Sequence, residues 1–483
     1  MIRFSAIAYV AGQLCLFLGA SMLVPAAWGL VRGGGGVDAL LYSAAICFAA
    51  GALGRFGLPR PDKDLSQREG LLLVVTAWLC LAFFGGLPFV FSPYFTTFTD
   101  AFFEAASGFT TTGATVLSDV EVLSEPVQLW RHFSHWLGGM GIVVLGVAVL
   151  PLVGHGGMHL YRAEFSGARS EKLKPRITET AAALWKIYFA FTVVLCLALM
   201  GAGMSFFDAL CHTFSTLGTG GFSTRTASIA AFDSPLIEYL IIAFMLLAGV
   251  SFIQHYRLLV EWRPGRFFRD VEVRGYVLLV LAATAVVSLV LAVQMGYGTE
   301  RALRTGLFQV ASIVTTTGFV TADFELWHPL AQLTLLALMF VGGCTGSTAG
   351  GLKVSRLALL ARVVDREFKR MVERRGVFSV RLGGEVIPES TIQSLLNLVY
   401  LAFVVNFASC LALAAMGVDV LTAISAVAAS MFNVGPGLGH VGPSEHYGHL
   451  PALAKWVLAA DMIAGRLEFY TVLVILTPPF WRK

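Results

Sequence analysis

Long apolar runs separated by short polar segments recur from one end of the chain to the other. Stretches of about 18 or more nearly uncharged residues are long enough, as helices rising about 1.5 Å per residue, to cross a hydrocarbon layer of about 30 Å. The first two, at 6–31 and 37–52, are followed by a basic loop and predict a transmembrane hairpin. Beyond them a three-part unit recurs four times: an apolar span, a short amphipathic segment ending in a Gly/Thr-rich stretch, and a second apolar span running into a basic loop. The boundaries are 1–68 for the hairpin and 69–175, 176–268, 269–385 and 386–483 for the units. Internal repetition of this kind predicts an all-α integral membrane protein in which four membrane-pore-membrane repeats surround one pore with pseudo-fourfold symmetry.

The four Gly/Thr stretches are Gly108 to Thr115 (GFTTTGAT), Leu217 to Thr224 (LGTGGFST), Val314 to Thr321 (VTTTGFVT) and Asn433 to Gly439 (NVGPGLG). Aligned on Gly113, Gly221, Gly318 and Gly437, they fall about 100 to 120 residues apart, the length of two spans with a re-entrant segment between them. Asp100 and Asp208 stand at the same offset before the first two of these glycines. Non-helical backbone at membrane depth leaves carbonyls without partners, and lipid cannot satisfy them. Glycine permits the backbone angles that turn successive carbonyls to one side, threonine adds hydroxyl oxygens, and a ring of such oxygens replaces the water shell of a hard cation. The segments before the glycines, such as Thr99 to Phe109 and Phe206 to Thr216, are long enough for about three helical turns and would aim their negative dipole ends at the same point. One such stretch alone also suits simple close packing of helices. Four at equivalent places favour the pore.

Of the 483 residues 57% are hydrophobic and 13% charged, and the mean hydropathy is +0.75, too apolar for a single water-soluble core. The net charge of +4 is small, but basic residues cluster in alternate loops: Arg55, Arg60, Lys63 and Arg68; Arg162, Arg169, Lys172, Lys174 and Arg176; Arg257, Arg263, Arg266, Arg269 and Arg274; and Lys353 through Arg381. These loops are expected on the cytoplasmic side, with both termini, and the loops carrying Asp119, Glu121, Glu125, Asp233, Asp323 and Glu325 outside. Membrane orientation accounts for the basic loops, so no nucleic-acid partner is expected. Seven scattered cysteines without a CxxC pair suggest neither disulfides nor a thiolate metal site. No Walker motif is present, and no tightly bound organic cofactor is expected.

Three features fall outside the fourfold pattern. Gly342, Gly343, Cys344, Thr345, Gly346, Ser347, Thr348, Ala349, Gly350 and Gly351 lie within the second span of the third unit, just before Lys353 and Arg356. Such a run should interrupt the helix and predicts a loop beneath the filter that obstructs or opens the pore; the other reading is a flexible cytoplasmic turn. In the last span, Arg466 places a positive charge below the filter, or pairs with Asp461 or Glu468. His132, His135, His155 and His159 raise the possibility of a membrane redox protein, set against plain interfacial histidines. One helix would hold the two pairs apart by over roughly 20 Å.

Together, TTTGAT, TLGTGGFST, TTTGF, NVGPGLG, HWLGGMGIVVL, GGCTGSTAGGLKVSR and GRLEFYTVLV resemble the Trk-type potassium transporter family, its TrkH/TrkG membrane-subunit branch within the Trk/Ktr/HKT superfamily, over nearly the whole chain. The resemblance implies a homodimer in the bacterial inner membrane with one pore per subunit, potassium as the transported substrate, and a cytoplasmic TrkA-like nucleotide-binding regulator docked on the basic face. It implies a potassium filter from Thr111, Thr112, Gly113, Thr219, Gly220, Gly221, Thr316, Thr317, Gly318, Val434, Gly435, Pro436 and Gly437, and a gate from 342–351 with Lys353 and Arg466. In plant relatives serine at the first filter glycine goes with sodium transport. Gly113 here implies potassium selectivity, with a sodium-permeable or ion-coupled symporter of the same fold as the alternative.

Overall fold

The computed structural model describes residues 2–61, 65–148 and 177–482. Lys63, His155, His159 and the basic cluster from Arg162 to Arg176 lie outside the described residues. The described chain is almost entirely helical; its strands form one two-stranded antiparallel hairpin, Arg381–Leu382 against Glu385–Val386.

α1 (Phe4–Arg32) and α2 (Val37–Phe56) form the expected hairpin; α1 extends slightly beyond 6–31 at both ends, and α2 starts at 37 as expected and runs four residues past 52. Their contact face carries Gly12, Gly19, Gly51 and Gly54, and a Cβ on Gly12 would lie 2.9 Å from the Gly54 Cα. Small residues let the two backbones meet where lipid supplies no hydrophobic drive for association. A capping box starts α3 (Gln67–Gly85): Ser66 accepts from the Glu69 amide while Glu69 accepts from the Ser66 amide.

The four amphipathic segments form α4 (Phe98–Phe109), α7 (Phe206–Gly218), α11 (Thr299–Val314) and α15 (Val420–Met431). Thr97, Ser205 and Asp419 cap three of them by accepting from the amides of Asp100, Asp208 and Thr422. All four reach about three turns or more and are buried over their last two turns. Around them stand the longer helices α5 (Glu125–Ala148), α6 (Ile177–Gly201), α10 (Val271–Gln294) and α14 (Glu389–Ala415). α10 buries Val273, Tyr276, Val280, Ala283, Val287 and Val290 at helical spacing, yet its opposite face is also apolar, with Leu278, Leu281, Leu289 and Val293 exposed. A helix apolar on both faces has protein on one side and lipid on the other.

Three second spans are interrupted. α8 (Pro235–Ala248) and α9 (Phe252–Leu259) meet at a 100° bend. α12 (Pro329–Met339) stops before the small-residue run, and helix resumes only at α13 (Val354–Val372), an amphipathic helix rich in basic residues. α16 (Ala452–Leu467) breaks at Glu468, whose φ is +64°, before the short α17 (Phe469–Leu473). Sequence placed only the second of these breaks. Six described helices are long and apolar enough to cross a membrane, seven if α8 and α9 count as one bent span.

Candidate functional site

Helices α4, α7, α11 and α15 each end the same way. Thr111, Thr219, Thr316 and Asn433 take left-handed φ values of 53°, 54°, 53° and 57°, and two residues later Gly113, Gly221, Gly318 and Gly435 have φ of 83°, 78°, 80° and 100°. The next amide after each left-handed residue reaches back five positions: Thr112 N to Ser107 O, Gly220 N to Ser215 O, Thr317 N to Ser312 O and Val434 N to Ala429 O, at 2.9, 2.8, 2.8 and 2.7 Å. The left-handed residue itself reaches back three, as Thr111 N does to Gly108 O at 3.1 Å. This pair of bonds is the Schellman closure of a helix, and it satisfies the last helical carbonyls so that those of the following loop are free.

The four loops close on one another in a ring. A Cβ on Gly113 would lie 2.1 Å from Gly220 O, one on Gly221 2.0 Å from Thr317 O, one on Gly318 2.2 Å from Val434 O, and one on Gly435 2.6 Å from Thr112 O. Each glycine therefore lies against a carbonyl of the neighbouring loop, and the carbonyl always belongs to the residue before that loop's own glycine. The ring corrects the alignment of the fourth stretch: Gly435, not Gly437, stands with Gly113, Gly221 and Gly318. Gly437 lies two residues on, where its amide donates to Val441 O and a Cβ would meet Ser425. The Gly-Pro-Gly run obscures a register that the polar residue two before each glycine would have given, and Asn433 was missed for that reason.

Side chains hold the ring from behind. Asn433 Nδ2 donates to Thr112 Oγ1 and to Met462 O. Thr112 and Thr317 hydroxyls pair with those of Thr110 and Thr315, each at 2.8 Å. Tyr447 Oη donates to Gly435 O at 2.8 Å. Glu104 on α4 accepts from Val116 N and Thr115 Oγ1 and forms a fully buried ion pair with Arg131 of α5 at 2.6 Å. Arg131 in turn donates to Ser223 O beyond the second loop and lies 3.5 Å from the Phe222 ring centre, a cation–π contact. Asp100 meets Lys455 of α16 at 2.6 Å and Asp208 meets Arg225 at 3.2 Å, so the aspartates of equal offset tie the starts of α4 and α7 to neighbouring segments. The Thr111 hydroxyl is buried and has no protein partner, and Pro436 lies against Gly318.

His132 and His135 are buried rather than interfacial: both present Nδ1 to Ser215 Oγ, and His135 stacks on Phe222 at 4.0 Å. His135 fills the space a side chain on Gly220 would need, so the pair backs the second loop. Among the described residues no three His, Cys, Asp or Glu side chains are grouped to hold a metal ion.

The run from Gly342 to Gly351 is packed against the ends of α11 and α15, beside Thr316 and Asn433, and is buried along most of its length. Gly350 N donates to Thr316 Oγ1 at 2.7 Å, and Lys353 Nζ caps the carbonyls of Ala349 and Gly350. Arg466, 4% exposed, donates Nη1 to Thr348 O at 2.8 Å, while its Nε and Nη2 have no protein partner. The expected pairing of Arg466 with Asp461 or Glu468 does not form: Ser409 donates to Asp461, and Glu468 takes Arg356. The break at Glu468 turns that carboxylate off the α16 axis.

Six described helices long and apolar enough to cross a membrane, with four further helices ending in loops of one backbone conformation that close on one another, define a multi-pass membrane protein. Residues 38–481 match the family profile described as "Cation transport protein" (TrkH). The chain is 42% identical over 98% of both chains to the Trk system potassium uptake protein TrkH of Halomonas elongata, and 40% identical over 100% of both to that of Escherichia coli K12. Its backbone superimposes on the crystal structure of the potassium transporter TrkH from Vibrio parahaemolyticus with a TM-score of 0.92, at 37% identity and full coverage of both chains. The chain belongs to the TrkH family of cation transport proteins.

Proposed function

We propose that this chain carries potassium into the cell across the bacterial inner membrane through the ring of four loops. The observation that supports this reading is the closure itself: glycines 113, 221, 318 and 435 each abut a carbonyl of the next loop, which leaves no room for a side chain at any of the four. The relatives' names supply the cargo, each being a potassium uptake protein or potassium transporter. The ion would contact the carbonyls of Thr111, Thr112, Gly113, Thr219, Gly220, Gly221, Thr316, Thr317, Gly318, Asn433, Val434 and Gly435, with Pro436 and Gly437 flanking the outer end. The dipoles of four helices ending at this ring favour a cation over an anion.

The run from Gly342 to Gly351 is the gate in this reading. Its bond to Thr316, one of the proposed filter residues, supports this reading, and Arg466, bonded to Thr348 O, would add a positive charge that opposes a departing cation. A TrkA-like nucleotide-binding partner on the basic cytoplasmic face, a homodimeric assembly, cytoplasmic termini and the division at 1–68, 69–175, 176–268, 269–385 and 386–483 complete it.

Rubidium uptake into liposomes holding the purified protein, with sodium as competitor, tests the filter. Gly113→Ser should lower the potassium-to-sodium ratio, because a Cβ there meets Gly220 O; an unchanged ratio would reject this placement of the filter. Shortening 342–351 should raise flux without the regulatory partner, and unchanged flux in a correctly inserted protein would remove the gate.

A further inference from the structure

The bend between α8 and α9 breaks three helical bonding partners out of register, and the small-residue run takes up all three. Cys344 N donates to Gly249 O at 2.8 Å, Phe252 N donates to Gly346 O at 3.0 Å, and Thr348 Oγ1 donates to Ala248 O at 3.3 Å. The loop is thus seated in a notch cut by the bent span. These bonds do not fix it there, because an unbent helix would re-pair the same groups internally, Phe252 N with Ala248 O and Gly249 O with the amide of Ile253. The exchange is close to neutral, as hydrogen-bond exchanges between satisfied states are.

Glu272 is different. It stands on the first turn of α10, which Asp270 caps by accepting from the amides of Glu272 and Val273. A single carboxylate oxygen, Oε1, accepts from Thr345 N at 2.8 Å, Thr345 Oγ1 at 2.9 Å and Ser355 N at 3.2 Å. Thr345 and Ser355 hydroxyls also meet each other at 2.9 Å. One side chain therefore joins the loop and the first turn of α13 to a third helix. If the loop leaves, the carboxylate loses both Thr345 donors and keeps only Ser355 of α13. Bonds to an ionised acceptor are about twice as strong as neutral ones.

We propose that Glu272 is the positioning residue that latches the loop in its notch, so that a displacement of α13, which carries Ser355, releases the latch. The consequence for flux rests on reading the loop as the gate; the latch itself does not.

The test uses the full-length protein with Cys344, which is buried, as the only cysteine, in inverted membrane vesicles treated with a membrane-impermeant maleimide. Glu272→Ala should speed labelling of Cys344 about tenfold, the size expected when charged hydrogen bonds are lost. Glu272→Gln, which keeps an acceptor oxygen, should fall between it and the parent. Thr345→Val, a change in the loop rather than in α10, should act in the same direction. Rubidium flux without the partner should rise in the same order, with the potassium-to-sodium ratio unchanged, which general damage to the fold would not give. Faster labelling with unchanged flux would uphold the latch and overturn the loop as gate. Labelling at the parent rate in correctly inserted Glu272→Ala and Thr345→Val would overturn the latch.

Discussion

Asn433 Nδ2 lies 2.9 Å from Thr112 Oγ1 and 3.0 Å from Met462 O, so one amide joins the last pore loop to the first and to the last span. Asn433→Asp keeps the size and removes both donations, each worth about 1 kcal/mol, and leaves a carboxylate facing the Met462 carbonyl. The expected outcome is a melting temperature lower by several degrees and a reduced potassium-to-sodium ratio, read by thermal unfolding in detergent and by tracer competition.

Gly435 and Gly437 separate under alanine. At Gly435 a Cβ would lie 2.6 Å from Thr112 O on a backbone with φ of 100°, so Gly435→Ala forces the filter apart and should abolish selective flux. At Gly437 the nearest atoms are the Val441 Cγ2 and Ser425 Oγ side-chain atoms, at 2.9 and 3.0 Å, so Gly437→Ala should cost stability while keeping the ion ratio. Equal loss of selectivity in both would restore the Gly437 register.

Glu104 and Arg131 are 0% and 2% exposed. Removing one partner leaves the other charge buried alone, at a cost of about 3–5 kcal/mol, whereas removing both spares much of that. Arg131→Met is expected to unfold or fail to accumulate, and Glu104→Gln/Arg131→Met to recover in part. A double-mutant cycle on melting temperature measures the coupling, and a double variant no better than Arg131→Met would show that Arg131 matters for its Ser223 and Phe222 contacts instead.

Glu325, in the turn between α11 and α12, accepts from Gly439 N and is held above the usual carboxylate range, first by burial and then by the charges of Asp323 and Glu445. A carboxyl whose folded pKa is raised weakens the fold once ionised, so this penalty is fully present above the folded pKa and disappears as pH falls below the unfolded value. Glu325→Gln keeps the acceptor for Gly439 and removes the charge. It should raise the melting temperature at neutral pH and show no advantage near pH 4. A constant difference across that range would place the effect elsewhere.

The membrane fold was legible because lipid imposes long apolar runs, and the four irregular loops because glycine and threonine recur where a helix must stop. Two things were not legible. The fourth register was hidden because three glycines in Asn433 to Gly439 compete for one backbone role, and only the closed ring selects Gly435. The bend at 249–251 was hidden because its unpaired groups are satisfied by a loop about 100 residues away, a relation that leaves no local signature. His132 and His135 read as interfacial because a polar ring near the end of an apolar span usually is; here Ser215 gives each a partner inside. Glu272 carried no signal at all, being one acid on the first turn of an ordinary span.

Because the fourth loop completes the ring by meeting the first, with Asn433 standing 321 positions after Thr112, the ring stays open on one side until the final quarter of the chain has been made. If the ring is the filter proposed above, a growing polypeptide with only its first three loops in place would lack the last set of oxygens and could not offer an ion a complete shell. An interrupted product would then be an incomplete funnel rather than a leak.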